Sequence, residues 1–109
     1  MKKKHQTMES EASVSGIVGA TPVTKEKLGR VDFMHFPLYV KFIYSINRAA
    51  REGTRVMIFV RGDLARKHDG KIDVGMKVKV DGILTKSYYV GDDGVTRSGE
   101  VIHADRIFY

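Results

Sequence analysis

The sequence predicts an all-β domain, a barrel or a sandwich, on three observations. Glycine is frequent and proline scarce. Apolar residues alternate in short runs instead of recurring at helical spacing. Polar, glycine-containing turns separate those runs. Five principal strands and one short helix account for the chain, whose 109 residues suit a single core. There is no cysteine, which excludes disulfides, zinc–cysteine sites and thiol nucleophiles and fits a reducing, cytoplasmic setting. No apolar run is long enough to span a membrane. Residues 1–12, MKKKHQTMESEA, open with lysines that no apolar segment follows, so they read as a disordered basic arm and not a secretory signal. Residues 13–109 form the folded domain.

The first strand is read at residues 14–20 (VSGIVGA), where Gly16 and Gly19 break the alternation as a bulge or sharp bend does. TPVTKEKLGR then reads as a turn. The second strand, residues 33–46, separates Met34, Phe36, Leu38, Val40, Phe42, Tyr44 and Ile46, read as core, from Phe33, His35, Pro37, Tyr39, Lys41, Ile43 and Ser45. The second set mixes aromatics with positive or protonatable groups, which a merely solvated face does not need. Pro37 marks an edge, a bulge or a break. A polar loop follows, rich in arginine: Arg48, Arg51 and Arg55. In the third strand, residues 56–62, Val56, Ile58 and Val60 point one way and Met57, Phe59 and Arg61 the other.

The only helical candidate lies in residues 63–75, with Asp63 as its cap and Gly70 leaving room for barely two turns. Residues 76–84 alternate again, Met76, Val78 and Val80 inward and Lys77 and Lys79 outward, and the strand runs on through TKSYYV. GDDG supplies turn chemistry for a long hairpin, and residues 99–109 form the closing strand. GDDG lacks the alternating oxygen ligands of a calcium loop. The four histidines show no metal-ligand spacing, and no phosphate loop or dinucleotide fingerprint occurs, so neither a metal, a cofactor nor an enzymatic activity is expected.

A net charge of +6 and a pI near 9.7 favour a polyanionic partner. The order of elements then narrows the choice. Residues 78–109 resemble the second half of bacterial single-stranded DNA-binding proteins: a strand ending V-x-G-x-L, a long hairpin with a Y-x-x-x-D-G tip and a closing V-x-A-x-x-I/V strand. The matching residues are Val80, Gly82, Leu84, Tyr89, Asp93, Gly94, Ile102, Ala104 and Ile107. Upstream, VSGIVGATPV is similar to that family's opening strand and FPLYVKF to its second, and the related primosomal replication protein N is also similar. The resemblance covers residues 13–109. It implies a five-stranded OB-fold barrel, with the short helix between its third and fourth strands and the long hairpin between its fourth and fifth. It also implies binding of single strands across the second and third strands and nearby loops.

Aromatic platforms that stack bases and cations that follow the backbone hold such ligands. The candidates are Tyr39, Lys41, Phe59 and Arg61 on the outer faces, Arg48, Arg51 and Arg55 on the loop, Lys77, Lys79 and Lys86 along the fourth strand, and Tyr89 on the hairpin. Tyr39 read as cover for an oligomer interface, and Phe33 and His35 read as packing on the barrel rim, are the plainer alternatives. The chain departs from the family in having no tryptophan, a shorter helix and no acidic tail after Tyr109. Those departures suit a specialised accessory factor in DNA replication or recombination, serving a primosome or carried by a mobile element, more than a general coat. Single-stranded DNA is the expected partner, with a helicase, primase or polymerase as possible protein partners, and the protein is expected to be a homo-oligomer, a dimer or a tetramer. Two other readings stand beside this one: a protein-interaction adaptor, and an RNA-binding OB domain.

Overall fold

The computed structural model describes residues 8–45, 55–90 and 93–109, with the backbone alone placed at residues 8, 9, 45, 86–90 and 96–98. Its elements are β1 (Met8–Val18), β2 (Val23–Lys27), β3 (Arg30–Ser45), β4 (Arg55–Arg61), α1 (Gly62–His68), β5 (Lys77–Val90) and β6 (Thr96–Phe108). Five strands are hydrogen-bonded in the order β1-β5-β6-β4-β3, and β3 pairs back onto β1, so the sheet closes into a barrel. Every pairing is antiparallel except β4 with β6. This is the expected OB barrel, with α1 between the third and fourth barrel strands and the β5–β6 hairpin between the last two.

Strand alternation builds the core. Val14 and Val18 of β1, Met34, Phe36, Leu38 and Val40 of β3, Val56, Ile58 and Val60 of β4, Val78, Val80 and Leu84 of β5, and Ile102 of β6 are all buried. Inward residues on each strand thus meet those of its neighbours, and hydrophobic burial of this kind is the main force closing the barrel.

Four expectations need correction. β1 starts at Met8 and pairs along β5 from Met8↔Lys86 onward, so residues 8–12, read as part of an arm, belong to a strand. TPVTKEKLGR is not only a turn, because β2 folds back on β3 as a hairpin. Its two-residue loop, Leu28–Gly29, has both φ values positive, at 54° and 81°, the requirement of the turn whose twist matches paired strands. All five β2 residues are exposed, so no alternation betrays the strand. Third, Asp63 does not cap α1. Arg61 is the N-cap without a side-chain hydrogen bond, while Asp63 sits in the first turn, ion-paired with Arg66. That guanidinium holds the Asp63 carboxyl below its usual range, and it also donates to the Val31 carbonyl at 2.8 Å, tying α1 to β3.

The fourth correction bears on the site. Phe42 and Tyr44, read as core, are 64% and 67% exposed, while Ile43 packs against the core. The β1–β3 register passes from Ser15↔Phe42 to Gly16↔Val40 and leaves Lys41 unmatched. This β-bulge inserts one residue and reverses the parity of everything beyond it. Gly16, opposite the bulge, lies so close to β3 that a Cβ there would meet the Tyr39 carbonyl. Ile46, the last residue of that expected core set, lies outside the described residues.

Candidate nucleic-acid interface

The outer side of β3 carries the candidate interface. Over its first half, Phe33, His35 and Tyr39 alternate outward, with Pro37 buried between them, and β4 presents Met57, Phe59 and Arg61 beside them. Register then makes a row that no linear pattern reveals. His35 of β3 stands opposite Phe59 of β4, and Phe59 stands opposite His103 of β6. The rings touch in that order, His35 to Phe59 with centroids 6.2 Å apart and Phe59 to His103 at 5.7 Å. Phe33 closes the group, 5.2 Å from Phe59 edge to face and 5.6 Å from His35.

Arg61 completes this platform. Its guanidinium lies 5.0 Å from the Phe33 ring centre and 5.8 Å from that of Phe59. Cation–π attraction to two rings fixes the charge at the platform's edge, and less side-chain entropy remains to be lost on binding a phosphate. Phe33 and Phe59 are half-buried, fixed against the barrel while keeping accessible ring surface.

The other candidates divide between a second face and segments the structure does not describe. Tyr39 is 49% exposed, and its ring lies over Gly19 so closely that a Cβ there would be 2.5 Å from Cε2. It stands opposite Arg55 on β4 and Ile17 on β1, so it marks the corner where the β3–β4–β6 face turns onto the β1 face. Lys41 is exposed at the bulge. Across β1 from Tyr39 and Phe42 stand Lys77 and Lys79, through Ile17 and Ser15 respectively. Both lysines are exposed, and the Lys79 ammonium lies 5.5 Å from the Phe108 ring centre. An aromatic edge and a lysine edge therefore border a β1 strip of Ser15 and Ile17. Arg48 and Arg51 lie outside the described residues. Backbone register places Lys86 opposite Glu100 and Tyr89 opposite Arg97 on the long hairpin, and the side chains of Lys86 and Tyr89 likewise lie outside what is described.

Closed barrel, parallel β4–β6 pair, helix position and long hairpin together define the fold type. The chain folds as single-stranded DNA-binding proteins do. The small single-stranded DNA-binding protein from Streptomyces coelicolor matches with a TM-score of 0.66 and 25% identity over 98% of this chain and 95% of that one. The second single-stranded DNA-binding protein of Mycobacterium smegmatis matches with a TM-score of 0.60 and 20% identity over 92% of this chain and 87% of its own. The mitochondrial protein Rim1 of S. cerevisiae matches with 0.61 and 13% over 96% and 94%. No protein-family model and no curated protein sequence matches the chain. Phe59 and Arg61, expected on an outer face from strand alternation, lie together here with His103, which no sequence pattern singled out, and with Phe33 and His35, for which packing on the rim is the plainer reading; Phe42, read as core, is exposed.

Proposed function

We propose that this protein binds single-stranded DNA with little sequence preference and has no catalytic activity of its own. Bases stack on Phe33, Phe59 and Tyr39, while Arg61, Arg55, Lys41, Lys77 and Lys79 neutralise phosphates. The observation that carries this reading is the aromatic group on the outer face of β3, β4 and β6 with Arg61 held over two of its rings. Stacking accepts every base, because each has a π-face, and cations along the rim follow the backbone whatever the sequence. Likeness to the Streptomyces coelicolor protein over nearly the whole chain supports the same ligand class. Within the cell the reading is of an accessory factor in replication or recombination, working with a helicase, primase or polymerase as a dimer.

The test is fluorescence anisotropy with a labelled oligothymidine of about 30 bases beside the matching duplex. Five cations on phosphate give a salt slope of about −3.5, so affinity falls roughly 100-fold between about 50 and about 200 mM salt. Equal affinity for the duplex, or none for either, overturns the proposal. Phe42 and Tyr44 favour a second reading, an adaptor in a replication complex, because exposed aromatics of this size on one face mark contact surfaces. That reading expects weak DNA binding and a stable complex with a replication enzyme. A single-stranded RNA ligand would show itself by preference for the 2′-hydroxyl.

A further inference from the structure

Phe59 is flanked on both sides by histidine, His35 one strand away and His103 one strand away in the other direction. Both imidazoles are on the outer face and half-buried. Neither has a hydrogen-bond or ion-pair partner among the described residues; their contacts are to aromatic rings. A base stacked on Phe59 has one phosphate on each side of it, and the histidines stand on the two sides of that ring. Neutral imidazole offers one N–H donor, whereas imidazolium offers two and a positive charge, and histidine makes that change between about pH 5 and 8.

We propose that His35 and His103 are proton-switched phosphate contacts flanking the stacking ring, so that the interface holds a single strand more tightly in mildly acidic solution. The proposal rests on the single-strand reading above and adds its regulation. The surroundings of the two rings are defined by register. Around His35 are Val23 and, one row on, Lys25 from β2, Phe59 and Arg61 from β4, and Phe33 and Pro37 on its own strand. Around His103 are Phe59 and Met57 from β4, Ile83 and Asp81 from β5, and Val101 and Asp105 on β6, with Glu11 of β1 and Arg106 beyond them. The Asp63–Arg66 pair of α1 lies past Arg61 and is neutral as a unit. Protonation therefore brings new charge to the centre of the platform, between the Arg61 edge and the acidic groups beyond His103.

Each added phosphate contact changes the single-strand salt slope by about 0.7, which at about 0.1 M salt is roughly five-fold in affinity, or about twenty-five-fold for both. The experiment measures oligothymidine affinity of the whole protein at pH 8.0 and 5.5, for the parent, for the double substitution His35→Gln/His103→Gln and for His35→Arg/His103→Arg. The parent is expected to gain at least ten-fold on acidification, with a steeper salt slope. The glutamine pair is expected to lose that gain, its affinity at pH 5.5 equalling its own affinity at pH 8.0, and the arginine pair binds at pH 8.0 as the parent does at 5.5. A parent that binds equally at both pH values, or a glutamine pair that keeps the full gain, overturns the proposal and leaves the single-strand reading intact. An absence of binding at either pH sinks the single-strand reading itself. Thermal midpoints of all three proteins separate a folding defect from a lost contact.

Discussion

Gly16→Ala is the perturbation that most sharply probes how the barrel closes. The new methyl would be driven into β3, far inside the 3.0 Å that real Cβ atoms keep from other heavy atoms at the Tyr39 carbonyl oxygen, 2.8 Å from its carbon and 3.1 Å from Val40 Cα. These are backbone atoms of a paired strand and cannot rotate away. β1 and β3 must part by roughly 1 Å, which costs about 1–3 kcal/mol in overpacking strain. It also weakens the ladder bonds beside the bulge, each worth about 0.5–1.5 kcal/mol. Alanine stiffens the unfolded chain and returns about 0.4–1 kcal/mol. The net expectation is a loss of about 3 kcal/mol, a large share of the roughly 5–15 kcal/mol that holds a domain together. Thermal unfolding followed by circular dichroism should show the midpoint falling by about 12–20 °C. Gly19→Ala is the control, because its methyl meets only the Tyr39 ring, 2.5 Å from Cε2 and 2.9 Å from Cδ2, which can swing outward. A Gly16→Ala midpoint within about 2 °C of the parent would refute the close approach of β1 and β3, and with it the bulge that turns Phe42 and Tyr44 outward.

Three further outcomes follow from the same structure. Phe59→Ala, whose side chain is half-buried on the outer face, should leave the fold intact by circular dichroism and lower oligothymidine affinity by about 1–3 kcal/mol, roughly 5- to 150-fold. Leu28 holds φ at +54° while 94% exposed, so Leu28→Asn should relieve left-handed strain and raise stability by about 0.5–1 kcal/mol in urea unfolding. His68, buried at the end of α1 with Nδ1 2.8 Å from the Tyr109 hydroxyl, is held below the usual histidine range by burial first and by Lys67 and Lys71 next. The unfolded chain accepts a proton that the folded one resists, so this contribution is whole above the unfolded value of 6.5 and is lost as pH falls below it towards the depressed folded value. Midpoints measured from pH 7.5 down to 5 should fall less steeply in His68→Gln than in the parent.

The parts of this molecule that were legible in its sequence are those set by local alternation. Val56, Ile58 and Val60 against Met57, Phe59 and Arg61, and Lys77 and Lys79 against Val78 and Val80, follow from the two-residue period of a strand. What depends on pairing between strands was not legible. The bulge at Lys41 arises where Gly16 meets β3, and it moves Phe42 and Tyr44 from the inside to the outside without any mark in β3 itself. The row His35–Phe59–His103 joins residues dozens of positions apart, and only register brings them to one line. β2 escaped notice because neither of its faces is buried, so it has no hydrophobic period. The fold could be read from a resemblance spread over the chain; of the candidate site, Phe59 and Arg61 follow from alternation, whereas the place of His103 and the outward turn of Phe42 depend on register.

The proposed seat of a single strand is the outer face of β3, β4 and β6. It is tested most directly by following the amide resonances of the isotope-labelled protein as a short oligothymidine is added. The largest shifts are expected on Phe33, His35, Phe59, Arg61 and His103, reaching round the corner to Tyr39. Shifts confined to α1 and the β5–β6 hairpin, with those six residues unmoved at saturation, would contradict it.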